Sequence, residues 1–280
     1  MRHTPVTTKR RPLGIELLLL LAICVAVLPI LWGIWVSLLP NRAIVSPDWR
    51  FEPSLINFEA LFEPGQVVTS QLLNSILITL GTTALVLVLA APGAYGLSKL
   101  SPPKWVLAPA IAIAVLMPLI PPMTLVPGMY VQMASLRLID TVYGLIILNT
   151  VVNLPFAVLL LRAYFDEISD EIREASLIDG ASELRSFLSI VLPIVRPGIA
   201  AVAVFVAIMA WNEFLFGLTM SSGGRRSPLT VGISSLVQPY EVTWGQMAAA
   251  GVVAAIPIIV LAAIANRQLV AGLTQGAVKG

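Results

Sequence analysis

The chain has 280 residues, of which 58% are hydrophobic and only 11% charged, with a formal net charge of +2. A water-soluble fold of this length needs a polar surface that so few charges cannot make, so the bilayer is its solvent. A single cysteine (Cys24) and a single histidine (His3) exclude a disulfide framework, a thiolate metal site, a histidine-based triad and a multi-histidine metal site.

A spanning helix needs about 20 mostly apolar residues to cross about 30 Å of hydrocarbon. The first candidate covers residues 13–39, behind Lys9, Arg10 and Arg11. It is too long for the core of a signal peptide and no small-residue cleavage site follows, so an uncleaved anchor is expected. Residues 40–71 carry Pro47, Pro53, Pro64 and Gly65 among scattered apolar residues such as Trp49 and Phe58, which suits either a short interfacial helix or an ordered surface loop.

Further spans are expected at 72–97 and 105–131, both without any Asp, Glu, Lys or Arg. The second of these holds Pro109, Pro118, Pro121, Pro122 and Pro127. Prolines at this density force kinks or an unwound stretch, tolerated where protein or a cavity satisfies the freed carbonyls, so this helix is expected to line a path. The next span, 142–164, contains Asn149, Asn153 and Pro155; hydrogen bonding between helices is the expected role of the amides, with Asn153 also a candidate for the pathway.

Residues 166–198 break the apolar pattern. Between Asp166 and Arg185, nine of twenty residues are charged, seven of them acidic. Ile168, Ile172 and Ala175 follow one helix face, acids cluster where a helix begins, and Asp179-Gly180 supplies a stop because glycine accepts left-handed geometry. A second face follows at Leu184, Phe187, Leu188 and Val191, and Pro193 and Pro197 interrupt the chain. Two short helices at an angle are expected on the membrane surface. An interfacial pair resting on headgroups is one reading, but an acidic excess suits an anionic leaflet poorly. A docking knob for a soluble partner is the other.

The fifth span, 199–220, carries Trp211, Asn212 and Glu213. Glu213 stands about 15 residues into it, roughly 22 Å along a helix. An acid at such depth costs about 2.5–3.5 kcal/mol on insertion scales and usually faces a cavity or a partner. Together with the tryptophan and the amide it suits sugar rings and hydroxyls; hydrogen bonding to a partner subunit is the competing reading. The sixth span, 244–264, is free of charge, and its run Ala248–Gly251 reads as helix packing.

Six spans place both ends of the chain on one side. Arg2, Lys9, Arg10, Arg11, Lys99, Lys104, Arg162, Arg173, Arg185, Arg196, Arg267 and Lys279, twelve in all, fall on that side, against five (Arg42, Arg50, Arg137, Arg225 and Arg226) on the other. The positive-inside rule therefore makes both termini and residues 166–198 cytosolic. The sequence reads as one all-α transmembrane domain over 1–280, without a soluble domain.

The order Glu174-Ala175, Asp179-Gly180-Ala181, Phe187, Ile190, Leu192-Pro193 and Pro197-Gly198 resembles the EAA loop of permease subunits of binding-protein-dependent ABC importers. "LLNSILIT", "AYGLSK", "LIDTVYGLI", "AWNEFLFGLT" and "AGLTQGAVKG" resemble the carbohydrate branch of that family, of the type of the second maltose permease subunit, from about residue 70 onward. Ser176 departs from the motif, whose third position is usually alanine, but is small enough to keep the packing.

The resemblance implies that the loop between spans 4 and 5 is a coupling helix-turn-helix seated in a cleft of an ATPase. Glu174 would pair with a basic residue there, Ala175 and Ser176 would permit close approach, and Gly180 the bend; Asp179, Ala181, Leu192 and Pro193 complete the motif. The implied partners are a homologous second permease, a dimer of cytosolic ATPases and an extracytoplasmic sugar-binding protein, in the lipid of a bacterial plasma membrane and without nucleic acid. The other permease of such a pair often holds most sugar contacts, and the final "TQGAVKG" would reach toward the ATPase.

No G-x-x-x-x-G-K-[ST] occurs and none of the four lysines follows a glycine, so the chain has no P-loop for ATP. No cofactor is expected in the chain itself; ATP and Mg would be bound by the ATPase. A stand-alone secondary transporter or channel for a small solute is the rival reading. It calls for coupling-ion acids within the spans, and only Glu213 lies deep enough. An intramembrane enzyme finds little support: the histidine count excludes a Ser–His pair or HExxH site, and the lack of Asp in the spans excludes an aspartyl pair. The spans have no basic cluster, which argues against anionic cargo and leaves neutral or amino sugars and oligosaccharides.

Overall fold

The computed structural model describes residues 13–45, 52–238 and 242–276, with backbone alone from residue 265. The tail residues Arg2, Lys9, Arg10 and Arg11, the loop residues Pro47, Trp49 and Arg50, and the last four residues of "TQGAVKG", Lys279 included, fall outside this description. Among the described residues the regular elements are helices, and the single extended pairing is an isolated bridge between Val237 and Val242. They gather into two compact units.

The smaller unit holds α1 (Leu13–Ser37), α2 (Asn41–Val45), α3 (Ile56–Phe62) and the start of the last helix. On α1 apolar side chains point outward on every face, among them Leu18, Val25, Leu28 and Trp32. A helix apolar all round is suited to lipid. The stretch after α1 takes the helical option, and its asparagines tie up loose backbone. Buried Asn57 donates through Nδ2 to the carbonyls of Ser37 (2.9 Å) and Leu39 (2.8 Å), groups that the end of α1 leaves unpaired. Asn41 Oδ1 accepts from the Trp244 N–H (3.1 Å), where the last helix begins.

The larger unit is built on α4 (Val68–Lys99), 32 residues and about 48 Å long. The chain continues through α5 (Lys104–Leu116), a 3-10 turn (Met117–Leu119), α6 (Pro122–Ser135) and α7 (Val142–Asp166). It then forms α8 (Asp170–Ile178), α9 (Glu183–Ser186), a π turn (Phe187–Val191), α10 (Leu192–Ile194) and α11 (Arg196–Trp211). The short α12 (Leu215–Met220) and α13 (Leu229–Ser234) precede α14 (Trp244–Gly276).

α4 packs along α7 and α11. Ala90, Ala91, Ala94 and Ala157 are buried at this core with Leu161, Phe165, Val202 and Val206; small side chains let the backbones approach, the usual means of helix association in lipid. Gly198 is required for the same reason, since a Cβ there would strike the Tyr164 ring.

Among the described residues, four helices are each long and apolar enough to cross a membrane: Gly14–Ser37, Val68–Lys99, Val142–Asp166 and Trp244–Ile264. Two bent pairs raise the number to six if each counts as one span. The first pair, Lys104–Leu119 with Pro122–Ser135, turns by 109° within the span expected at 105–131. Ile120 and Pro121 are extended (ψ 123° and 124°) because each precedes a proline, whose ring excludes the helical conformation from its neighbour. The second pair, Glu183–Ile194 with Arg196–Trp211, turns by 78° at Val195.

The span expected as one run over 199–220 is also divided, since α11 stops at Trp211 and α12 starts at Leu215. At the Gln71 end of α4, the amides of Gln71 and Asn74 hold the loop before α13. Gln71 Nε2 donates to the Gly224 carbonyl (3.0 Å) and Ser227 Oγ (3.2 Å), and Asn74 Nδ2 to the carbonyls of Arg225 (2.8 Å) and Ser227 (3.1 Å). Ser75 Oγ accepts from the Leu229 N–H at 2.8 Å.

Candidate functional site

The segment after α7 is shaped first by local rules. Ser169 caps α8, its Oγ accepting from the Glu171 N–H (3.3 Å), and Asp170 and Glu171 lie in the first turn where the helix dipole favours acids. At the other end Gly180 takes φ 84°. The Gly180 N–H donates to the Leu177 carbonyl and the Ala181 N–H to that of Ser176, both at 3.0 Å. This pair of bonds is a Schellman stop, for which glycine has no steric penalty. Ser182 then caps α9, its Oγ accepting from the Arg185 N–H (3.4 Å).

Side chains lock the two short helices together and onto α4. Arg173 and Glu183 form a bidentate pair across the turn, Nε to Oε1 at 2.7 Å and Nη2 to Oε2 at 2.8 Å. The Tyr95 hydroxyl, from α4, donates to the same Glu183 Oε1. The Tyr95 ring is 4% exposed, with the rings of Phe187 at 4.8 Å and Phe165 at 5.8 Å between centroids. Lys99 Nζ donates to the Ile168 carbonyl (2.6 Å) and to Asp170 Oδ1 (2.7 Å), and Ser98 Oγ donates to Asp166 Oδ1 (2.5 Å).

These contacts set the charge states. The Arg173 hydrogen bond holds the Glu183 carboxyl below its ordinary range against the opposing effect of burial, helped by Tyr95. The same pair raises the Arg173 guanidinium. The Lys99 ammonium lowers Asp170.

Ser176 is buried between α8 and α9. Its hydroxyl donates to the Arg173 carbonyl (2.6 Å) and lies 2.6 Å from Ser186 Oγ, so the Ser186 hydroxyl supplies the second proton. Glu174, Ala175, Asp179 and Gly180 lie exposed around the turn, Ala181, Leu192 and Pro193 are half-buried, and the pattern departs here from the expected apolar face. Ile172 and Ala175 are exposed, and Ser176 is the buried residue of α8. Of the second face, Phe187 and Val191 enter the core, whereas Leu184 is 66% exposed and Leu188 50%. Ile178 is 85% exposed. The turn thus presents apolar and acidic side chains outward from a rigid base.

The break after α11 is built around Glu213. Its Oε1 accepts from the Phe216 N–H (2.6 Å) and its Oε2 from the Gly217 N–H (3.0 Å), so the carboxylate caps α12. Thr230 Oγ1 donates to the Glu213 carbonyl at 2.8 Å. Trp211 is buried, with Nε1 donating to the Ala254 carbonyl (3.1 Å), while Asn212 is exposed and its Nδ2 donates to the Ile208 carbonyl (2.8 Å). Asn149 and Asn153 donate along their own helix, to the carbonyls of Leu145 (2.9 Å) and Asn149 (2.8 Å), rather than between helices.

Sequence reasoning missed Tyr95, Ser98, Lys99, Arg173, Glu183 and Ser186. A faint signal for the first three was "AYGLSK", which ends the most apolar stretch of α4 with an aromatic, a hydroxyl and a cation.

Residues 97–275 match the family of binding-protein-dependent transport system inner membrane components. The trehalose transport system permease protein SugB of Mycobacterium tuberculosis is 35% identical, over 91% of this chain and 93% of that protein. The trehalose/maltose transport system permease protein MalG of Thermococcus litoralis is 30% identical, over 97% and 98%. A probable ABC transporter permease of Sinorhizobium fredii is 38% identical, over 83% and 82%. A bacterial ABC transporter that imports the acidic polysaccharide alginate has a chain of the same fold, with a TM-score of 0.77 and 22% identity over 94% of this chain and 99% of that one. The chain belongs to the family of inner-membrane components of binding-protein-dependent transport systems, and is a multi-pass ABC-type permease.

Proposed function

We propose that this protein is one of the two transmembrane subunits of an ATP-driven carbohydrate importer in a bacterial plasma membrane, and that residues 166–198 receive the motion of a cytosolic ATPase. The observation that carries the reading is the outward turn of α8 and α9. It is rigid by its caps and its Arg173–Glu183 pair, yet it leaves Glu174, Ala175, Ile178, Asp179 and Leu184 uncovered. The basic bias of one set of loops puts this turn in the cytosol. Apolar side chains facing water beside acids suit a partner groove with an apolar floor and a basic rim.

In this reading Glu174 pairs with a basic residue of the ATPase, and Ala175 and Ile178 fill its groove. Asp179, Gly180 and Ala181 form the tip, Ser176 holds α8 on α9 from within, and Leu192-Pro193 leads into the spans. The ATPase dimer binds ATP and Mg; this chain contributes no cofactor. A homologous second permease completes the pathway and an extracytoplasmic binding protein delivers cargo. Asn212, Glu213 and Asn153 border the path, whereas Trp211, expected to offer its ring to a sugar, is buried with Nε1 on the Ala254 carbonyl; Asn212 offers its amide, while Glu213 keeps the chain broken at that depth. Trehalose and maltose in the names of relatives, with spans that lack a basic cluster, support a neutral disaccharide as cargo.

Two measurements test this. Glu174→Lys should weaken co-purification of the ATPase while membrane insertion persists; unchanged association would remove the docking claim. Uptake into vesicles should require ATP on the side of the turn. Uptake by this chain alone, without ATP and driven by an ion gradient, would instead make it a secondary transporter.

A further inference from the structure

The segment from Asp166 to Glu183 meets polar side chains of α4 at three successive levels, and the tightest centres on Tyr95. Its ring is clasped between Phe165 and Phe187, at the end of α7 and the start of the π turn. Its hydroxyl meets Glu183, which the Arg173 fork holds from α8. One carboxylate therefore ties α4, which is distant in the chain, to the pair α8 and α9. Below it, Lys99 is nearly buried (5% side-chain exposure) and fastens to the Ile168 carbonyl and Asp170. Ser98 fastens to Asp166.

The geometry points to Tyr95, Glu183 and Arg173 as positioning residues that transmit motion from the coupling turn to α4, so that α4 rather than α11 alone is driven by the ATPase. This rests on the docking reading above and adds the route beyond it. The covalent routes from the turn lead back through residues 167–169 into α7 and forward through α10 into α11, the latter across the 78° bend at Val195. The Tyr95–Glu183–Arg173 contact bypasses that bend. A bidentate fork with a third donor fixes direction as well as distance, which a lone ion pair does not. The aromatic clasp prevents Tyr95 from following Glu183 by a rotamer change alone. Displacement of the turn must then carry the last turns of α4 with it.

The experiment uses the complete importer in proteoliposomes, with ATP hydrolysis and sugar uptake measured on one preparation. Glu183→Gln removes the charge while keeping the shape, and Tyr95→Phe removes only the hydroxyl. Both should keep the ATPase bound and hydrolysing, while uptake per ATP falls roughly fivefold or more, the range of an ordinary coupling energy. Exchanging the charges, Arg173→Glu with Glu183→Arg, should restore part of that ratio where Arg173→Glu alone does not. Wild-type uptake per ATP in both Glu183→Gln and Tyr95→Phe would overturn the inference. So would a proportional fall of hydrolysis and uptake, or loss of the ATPase, each of which assigns the cluster a structural role. If Glu183→Gln fails to insert or to pair with the second permease, Tyr95→Phe decides alone. Failure of the docking reading is seen separately, as an ATPase that binds Glu174→Lys as strongly as the parent.

Discussion

The two ends of α4 are held by different chemistry. At the Gln71 end neutral side chains grip backbone: Gln71 and Asn74 bind the carbonyls of Gly224, Arg225 and Ser227, and Ser75 accepts from the Leu229 N–H. At the Tyr95 end ionised side chains grip one another, Arg173 on Glu183 and Lys99 on Asp170. Amides bound to main chain fix a loop in one place, because the backbone cannot turn away without leaving buried groups unpaired. Charged pairs between side chains hold strongly along one direction while the elements that carry them remain separate bodies. The contrast makes the Gln71 end an anchor and the Tyr95 end a joint.

Each end can be broken on its own. The largest expected loss is at the anchor, where Gln71 Oε1 occupies the place a Cβ on Gly232 would take. Gly232→Ala should cost about 1–3 kcal/mol by overpacking. Thermal unfolding of the purified assembly measures it, and adding Gln71→Ala should give less than the sum of the two losses. At the joint, Arg173→Ala should cost about 1–2 kcal/mol, discounted because the Glu183 side chain is 36% exposed.

The joint also has an acid limit. Arg173 holds Glu183 below the ordinary carboxylate range, so the contribution of the pair is complete above the unfolded value of about 4.3 and disappears as pH falls through the lower folded value. Between pH 5 and 8 the contribution of this group should be present in full and should not vary with pH; a pH-dependent loss of Glu183-dependent stability within that window would contradict the assignment. Glu183→Gln should remove the acid limb of the profile.

Smaller effects sharpen the contrast. Ser176→Ala leaves the buried Ser186 hydroxyl without its partner and should cost about 1 kcal/mol, whereas Ser176→Ala with Ser186→Ala should return close to the parent. A double-mutant cycle reads the difference. The least is expected from Arg226→Ala, whose side chain is 71% exposed where it meets Asp140; it should change stability by less than about 0.5 kcal/mol.

Long apolar runs and chain punctuation were legible in the sequence. Residues 142–164 and 244–264 lie within helices, and the Asp179-Gly180 stop takes the left-handed geometry that its glycine allows. The proline cluster signalled a disturbance in the third span but not a turn of 109°, since prolines prescribe a break without its direction. The break at 212–214 was hidden inside an apolar run. Its cue was Glu213 three and four residues before the N–H groups it caps, which at membrane depth also reads as a pathway acid.

The Tyr95 joint was not legible. Helical periodicity tells which residues share a face, whereas Arg173 and Glu183 meet only because the Schellman turn folds α9 back on α8. Ser176 shows the same limit. Its size was readable and fitted the packing, but its partner Ser186 lies on the next helix.

The central claim, that the turn of α8 and α9 is where this permease meets its ATPase, has a direct measurement. A photo-crosslinking residue placed at the exposed Ala175 of the complete importer should attach chiefly to the ATPase, with a yield that changes when ATP is added. Attachment to lipid or to the second permease alone, whatever the nucleotide, would contradict it.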